Sequence, residues 1–221
     1  MSIDAALHTA DKPYIQVTAE ASVSAKPDQA VVEIGVVSQA PTSAAAAAQN
    51  AKQTDAFLAE LDPILGANKK LRTTIYSVRP NYQYPKPGAT PTITSYTATN
   101  VVEVTLDDLT LVSRVVDTAT QSGANVVQKL QYQLKSPTAA RAQAFRQAAE
   151  QAKICAEAVA SGLGLKVVRV LSAEEITPEG GIPMYKRAAE PALAGAAPPT
   201  PLEIGMIEVE VHVALRVEIE Q

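Results

Sequence analysis

The chain has 221 residues, 47% of them hydrophobic and 19% charged, so it is neither a disordered acidic tail nor a set of membrane spans. Its 19 Lys+Arg against 23 Asp+Glu give a net charge of −4, without the basic balance of a general nucleic-acid binder. One Cys and two His exclude a zinc site built from Cys or from Cys and His.

Residues 1–13 read as a flexible tail. They hold neither the apolar core of a signal peptide nor the run of about 20 apolar residues that a span needs. On that reading the chain is either cytoplasmic or a mature form. Residues 14–23 alternate apolar and polar side chains, the pattern of a half-buried strand. Lys26-Pro27-Asp28 turns the chain into a second strand over 30–38. Pro41 then opens a helix to about residue 61, capped by Thr42 or Ser43, with an apolar stripe of Ala47, Ala51, Thr54, Phe57, Leu58 and Leu61. Two long strands follow, 71–84 and 93–106, joined by a Pro-rich tip. Asp107 and Asp108 supply negative charge to the start of a helix that stops at Gly123. A strand over 126–134 precedes Ser136-Pro137, an N-cap and N1 pair for a helix to about 161. Cys155 falls in that helix and reads as a small buried hydrophobe. After a strand over 167–173, the Pro/Gly/Ala-rich stretch 177–201 is too broken for helix or central strand. The chain closes on unbroken alternation over 207–219, with Ile207, Val209, Val211, Val213, Leu215, Val217 and Ile219 on one face.

This order, ββαββαβαββ, predicts an α+β fold. Long strands form an antiparallel or mixed sheet, and helices pack on one face. Strands joined by short turns are expected to pair antiparallel. The 39 alanines predict helices that pack closely or share their burial with a partner. The long closing strand predicts a free sheet edge, a natural pairing site. Residues 14–221 read as one domain carrying the loop 177–201.

The sequence around the two long strands resembles the SIMPL-domain family. The resemblance rests on Thr74-Ile75-Tyr76-Ser77-Val78-Arg79-Pro80-Asn81-Tyr82-Gln83-Tyr84 and on Ile93-Thr94-Ser95-Tyr96-Thr97-Ala98-Thr99-Asn100-Val101-Val102-Glu103-Val104. It extends to Asp108-Leu109, to Ser122-Gly123-Ala124-Asn125-Val126, to the Ala-rich helix after Ser136-Pro137, and to the opening 17–28. It implies a periplasmic or secreted bacterial protein, relatives that assemble into ring- or channel-like oligomers, and a link to oxidative-stress tolerance. It carries no catalytic residues.

The residues themselves offer little chemistry. Gly162-x-Gly164 follows a helix, whereas a dinucleotide loop precedes one. His8 lies in the tail. His212 shares a strand face with Glu208, Glu210 and Glu218, where a metal is conceivable but a solvated face is the favoured reading. No cofactor, metal or catalytic set is therefore expected, and the protein reads as non-enzymatic. Tyr76, Val78, Pro80, Tyr82 and Tyr84 share one strand face with Tyr96 nearby, an aromatic row suited to an interface or to the core. The sequence reads best as that of a self-assembling homo-oligomer. Its interface candidates are Tyr76, Tyr82, Tyr84, Tyr96, Val209, Val211 and Val213. It binds no nucleic acid and has no membrane span. The alternatives are a small-molecule pocket between sheet and helices, or an adaptor docking a protein partner through 177–201.

Overall fold

The computed structural model describes residues 12–66, 69–83, 90–176, 202 and 204–221. The expectations for the first eleven residues (His8 among them), for Tyr84 and for the loop 177–201 lie outside these. The element order is β1 (Tyr14–Ala25), β2 (Gln29–Ala40), α1 (Ser43–Leu65), β3 (Lys70–Gln83), β4 (Thr92–Leu106), α2 (Val112–Gln121), β5 (Val126–Gln133), α3 (Thr138–Gly162), β6 (Lys166–Glu175) and β7 (Ile207–Glu220). This is the predicted order, and every strand pair is antiparallel.

The strands sort into two sheets, β1-β7-β6 and β3-β4-β2-β5. They belong to two compact units. One contains β1, α3, β6 and β7. The other contains β2, α1, β3, β4, α2 and β5. The expected β1–β2 hairpin is thus overturned. Lys26-Pro27-Asp28 lacks the Gly or Asn residues that a tight hairpin turn requires at positive φ, and Pro27 offers no N–H. The chain leaves one sheet there and enters the other.

In the first unit, β1 and β7 pair through twelve consecutive residues without a bulge, from Tyr14 opposite Glu218 to Ala25 opposite Ile207. β7 is central, so the free edge expected of it is taken by β1 and β6 on its two sides. Its apolar face is buried from Ile207 to Val217. Helix α3 covers that face with Ala144, Ala148, Ala152, Ala156 and Ala160, a strict i,i+4 stripe. Ala152 and Ala156 pack against Leu215 and Val217, and Ala144 and Ala148 against Val211 and Val213. The alanines let the helix lie close to the sheet, the first of the two arrangements that the composition predicts. Cys155, one position off this stripe, is exposed rather than buried. The helix also starts one residue later than Ser136-Pro137 predicts. Pro137 is its N-cap, and the Ser136 hydroxyl is hydrogen-bonded to Thr138 Oγ1 instead of to backbone.

In the second unit, α1 and α2 pack over Ala30, Val32, Ile34, Val36, Val102, Val104 and Leu106 of β2 and β4. Thr42 caps α1, its Oγ1 accepting from the Ala45 N–H at 3.2 Å. The buried line of α1 is Ala46, Asn50, Thr54, Phe57 and Leu61. Its first half therefore runs one position before the predicted Ala47 and Ala51, and it includes a polar residue. Gly123 ends the α2 region at φ +116, backbone that side chains disfavour.

Candidate functional site

Two surfaces carry residues that sequence reasoning singled out. The first is the edge strand β3. Its pairing with β4 shifts register between Thr73 and Ile75 and between Asn81 and Tyr82. The extra residue lies on β3 in the first shift and on β4 in the second. β3 therefore alternates without interruption from Ile75 to Gln83, and Tyr76, Val78, Pro80 and Tyr82 share one face. Val78 pairs with the buried Ala98 and Tyr76 with Asn100, whose side chain donates to Thr54 of α1 at 3.4 Å. The row thus lies on the helix-bearing face of the sheet. Tyr96 stands opposite Pro80 and is half-buried.

Tyr76 and Tyr82 are 60% and 52% exposed. β3 ends the strand order, so one of its edges has no partner strand among the described residues. Pro80 is tolerated there because an edge strand needs only half its N–H groups. On the opposite face Asn81 Nδ2 donates to Ser95 Oγ at 2.9 Å and to Thr97 Oγ1 at 2.8 Å, while Gln39 Nε2 donates to Ser95 Oγ at 2.6 Å. This polar ladder holds the end of β3 in register behind the tyrosines.

Val209, Val211 and Val213 are placed differently. They are 8%, 3% and 5% exposed, facing α3 within the first unit. Their alternation is that of a core, and their side chains are already spent there.

The second surface is the other face of β7. Glu20 stands directly opposite His212 in the β1–β7 ladder, and Glu210 precedes His212 by two residues on the same face. His212 Nδ1 lies 3.6 Å from Glu20 Oε2, and Nε2 lies 3.3 Å from Glu210 Oε1. One ligand atom from each residue can be chosen so that all three lie within 4.8 Å. Sequence reasoning paired His212 with Glu208, Glu210 and Glu218. It missed Glu20, which comes from the other end of the chain. It also overcounted Glu218, which Lys12 Nζ and Arg169 Nε hold at 2.6 and 2.7 Å. Those two partners lower the Glu218 pKa, Lys12 contributing most. Beside this face an open polar depression is lined by Gln16, Ser172, Glu174, Ala214 and Arg216. The Arg216 guanidinium sits 3.8 Å from the centre of the Tyr14 ring.

A third cluster is structural. Asp107 Oδ2 accepts from Lys70 Nζ and Lys135 Nζ at 2.8 and 2.9 Å, and its Oδ1 accepts from Gln29 Nε2 at 2.8 Å. Lys70, then Lys135, then Gln29 hold its carboxyl well below the usual carboxylate range. Only Asp108 plays the helix-start part expected of both residues, its carboxylate accepting from the Thr110 N–H at 2.9 Å.

Comparison with known proteins gives a consistent result. The SIMPL family, described as a protein of unknown function (DUF541), matches residues 15–217. The 26 kDa periplasmic immunogenic protein of Brucella melitensis biotype 1 is 29% identical over 223 residues, covering 96% of this chain and 86% of the relative. The protein of the same name in Brucella abortus (strain S19) has the same identity and coverage. The uncharacterized protein YggE of Escherichia coli K12 is 27% identical over 188 residues, covering 83% of this chain and 76% of that protein.

Proposed function

The chain belongs to the SIMPL (DUF541) family, and from that premise we propose that it is a non-enzymatic assembly protein whose copies join through β3 into a closed homo-oligomer. The observation that carries this reading is the row of exposed tyrosines on an edge strand. Tyrosine brings large contact area at low entropic cost, and its hydroxyl tolerates a partly wet interface. A strand edge with no partner among the described residues lies beside it and adds backbone donors and acceptors that a second copy can satisfy. Closed symmetry is the arrangement that uses up such an edge without leading to filaments. A ring or channel is the form we favour.

The names of the Brucella relatives place those proteins in the periplasm, which supports an extracytoplasmic setting for this chain. No helix among the described residues is long and apolar enough to cross a membrane. A stress-protection role follows from the resemblance alone, and it is secondary to assembly.

The test is solution mass by size-exclusion chromatography with light scattering across a range of concentrations. A stable multiple of the 23.2 kDa chain is expected. The double substitution Tyr76→Ser and Tyr82→Ser should reduce it to monomer while leaving the circular dichroism spectrum unchanged. A wild-type monomer at micromolar concentration overturns the proposal. So does an oligomer that ignores both substitutions.

A further inference from the structure

We propose that Glu20, Glu210 and His212 form a binding site for a divalent first-row transition cation of the zinc type on the outward face of the β1–β7 ladder. The placement comes from strand geometry. Residues two apart on a strand project from the same face, and the residue directly opposite on a neighbouring strand projects beside them. Glu210 and His212 supply the first relation and Glu20 the second. Three donors thus converge from a ladder that runs twelve residues without a bulge, on a strand paired along both edges. The backbone under the site is therefore fixed, and only side-chain rotation remains.

The distances suit a metal. Tetrahedral zinc holds nitrogen and oxygen ligands at about 2.0–2.2 Å, which sets neighbouring ligand atoms roughly 3.4 Å apart. His212 Nε2 and Glu210 Oε1 are 3.3 Å apart already. Glu20 faces the other ring nitrogen, Nδ1, at 3.6 Å, so its side chain, 71% exposed, must swing round to the Nε2 side to complete the set.

Charge is a second, independent observation. Glu218 is matched by Lys12 and Arg169, Glu175 by Arg141 and Glu103 by Arg72. Among the described residues, neither Glu20 nor Glu210 has a Lys or Arg ion-pair partner; each is paired only with His212. Register places Glu208 and Glu174 on the same face, with Arg216 further along it beside Glu174. A divalent cation would offset the charge of the two carboxylates. One nitrogen donor beside two carboxylates favours zinc-type ions over calcium or magnesium, which take oxygen ligands. Three protein ligands leave a fourth position open to water or to a ligand.

The experiment is isothermal titration calorimetry of the full chain with zinc chloride at neutral pH, with melting temperatures measured in zinc and in EDTA. One saturable zinc per chain is expected, with a higher melting temperature in zinc, because the metal ties β1 to β7 only in the folded state. Glu20→Gln, Glu210→Gln and His212→Gln should each weaken binding by roughly tenfold or more, since losing even an outer-shell partner of a ligand costs about 10–100-fold. The zinc-induced rise in melting temperature should disappear in His212→Gln. His8→Gln should change neither readout. Absence of saturable heat overturns the proposal, as does binding that survives His212→Gln or is lost in His8→Gln.

Discussion

Asn50 is fully buried, yet it makes its hydrogen bonds outside its own helix. Its Nδ2 donates to Val36 O at 2.8 Å and to Ala98 O at 3.1 Å, stitching α1 to both central strands of its sheet. Both acceptors belong to paired strands, and Asn50 Oδ1 is itself buried without a partner, so removing the side chain costs about 0.5–1.5 kcal/mol net. Asn50→Ala should therefore lower stability by that amount, read from the midpoint of urea denaturation at constant slope. Asp107 gives a prediction with a pH sign. Its folded pKa is depressed from the ordinary 3.8 by Lys70, Lys135 and Gln29. It therefore contributes stability above about 3.8, and that contribution fades as pH falls further. Wild type should exceed Asp107→Asn in stability at neutral pH, and the gap should narrow below pH 3.8. A gap that widens in acid would show that the lysines are not what Asp107 holds. Neither residue was legible in its true part. Asn50 falls outside the predicted stripe because that stripe starts at Ala47 and Ala51, one position later on the helix. The spacing 46, 50, 54, 57, 61 nevertheless runs along one helix face, and that regularity was the available signal.

At the scale of elements, the alanine stripe of α3 states how near helix and sheet lie. Ala152 is completely buried against Leu215 and Val217. A larger side chain there must push the helix off the sheet, which costs about 1–3 kcal/mol. Ala152→Leu should destabilise by that amount. Ala149→Leu, on the exposed side of the same helix, should change little. Equal effects at both positions would mean that helix propensity, not packing, governs the helix. These elements were legible because their periodicity is local. The alternation of β7 separated its two faces, although it made Val209, Val211 and Val213 interface candidates, and the alanine content predicted close packing or burial shared with a partner. Partnership between strands was not legible in the same way. Lys26-Pro27-Asp28 looked like a hairpin by its length, while its residues lacked hairpin chemistry. The pairing of β1 with β7 depends on contacts between the two ends of the chain, which no local window contains. The same gap hid Glu20 from His212 and so left the trio incomplete. The tyrosine row was visible because period-two spacing survives in β3. Its exposure was not, because exposure depends on where the helices stop.

At the scale of the whole molecule, the two units differ in how the chain builds them. Among the described residues, the unit with α1 and α2 is continuous from Lys26 to Lys135 apart from Leu202 and the residues just before β7. Its core of Val32, Ile34, Val36, Phe57, Leu61, Val104 and Val115 comes entirely from that stretch. The other unit joins β1, α3 with β6, and β7, three segments far apart in sequence. Its central strand, β7, is made last. Local connectivity lowers the entropy lost in closing loops, so the continuous unit should hold its fold alone, while the other needs the complete chain. The fragment 26–135 should therefore unfold cooperatively in urea and give dispersed amide resonances by NMR. Deleting 207–221 from the full chain should abolish protection of α3 against hydrogen exchange, because its alanine stripe loses the apolar face it covers. Protection in α1 should persist. A fragment 26–135 without a cooperative transition would mean that the second unit depends on the first for stability, and that the chain folds as one body despite its two cores.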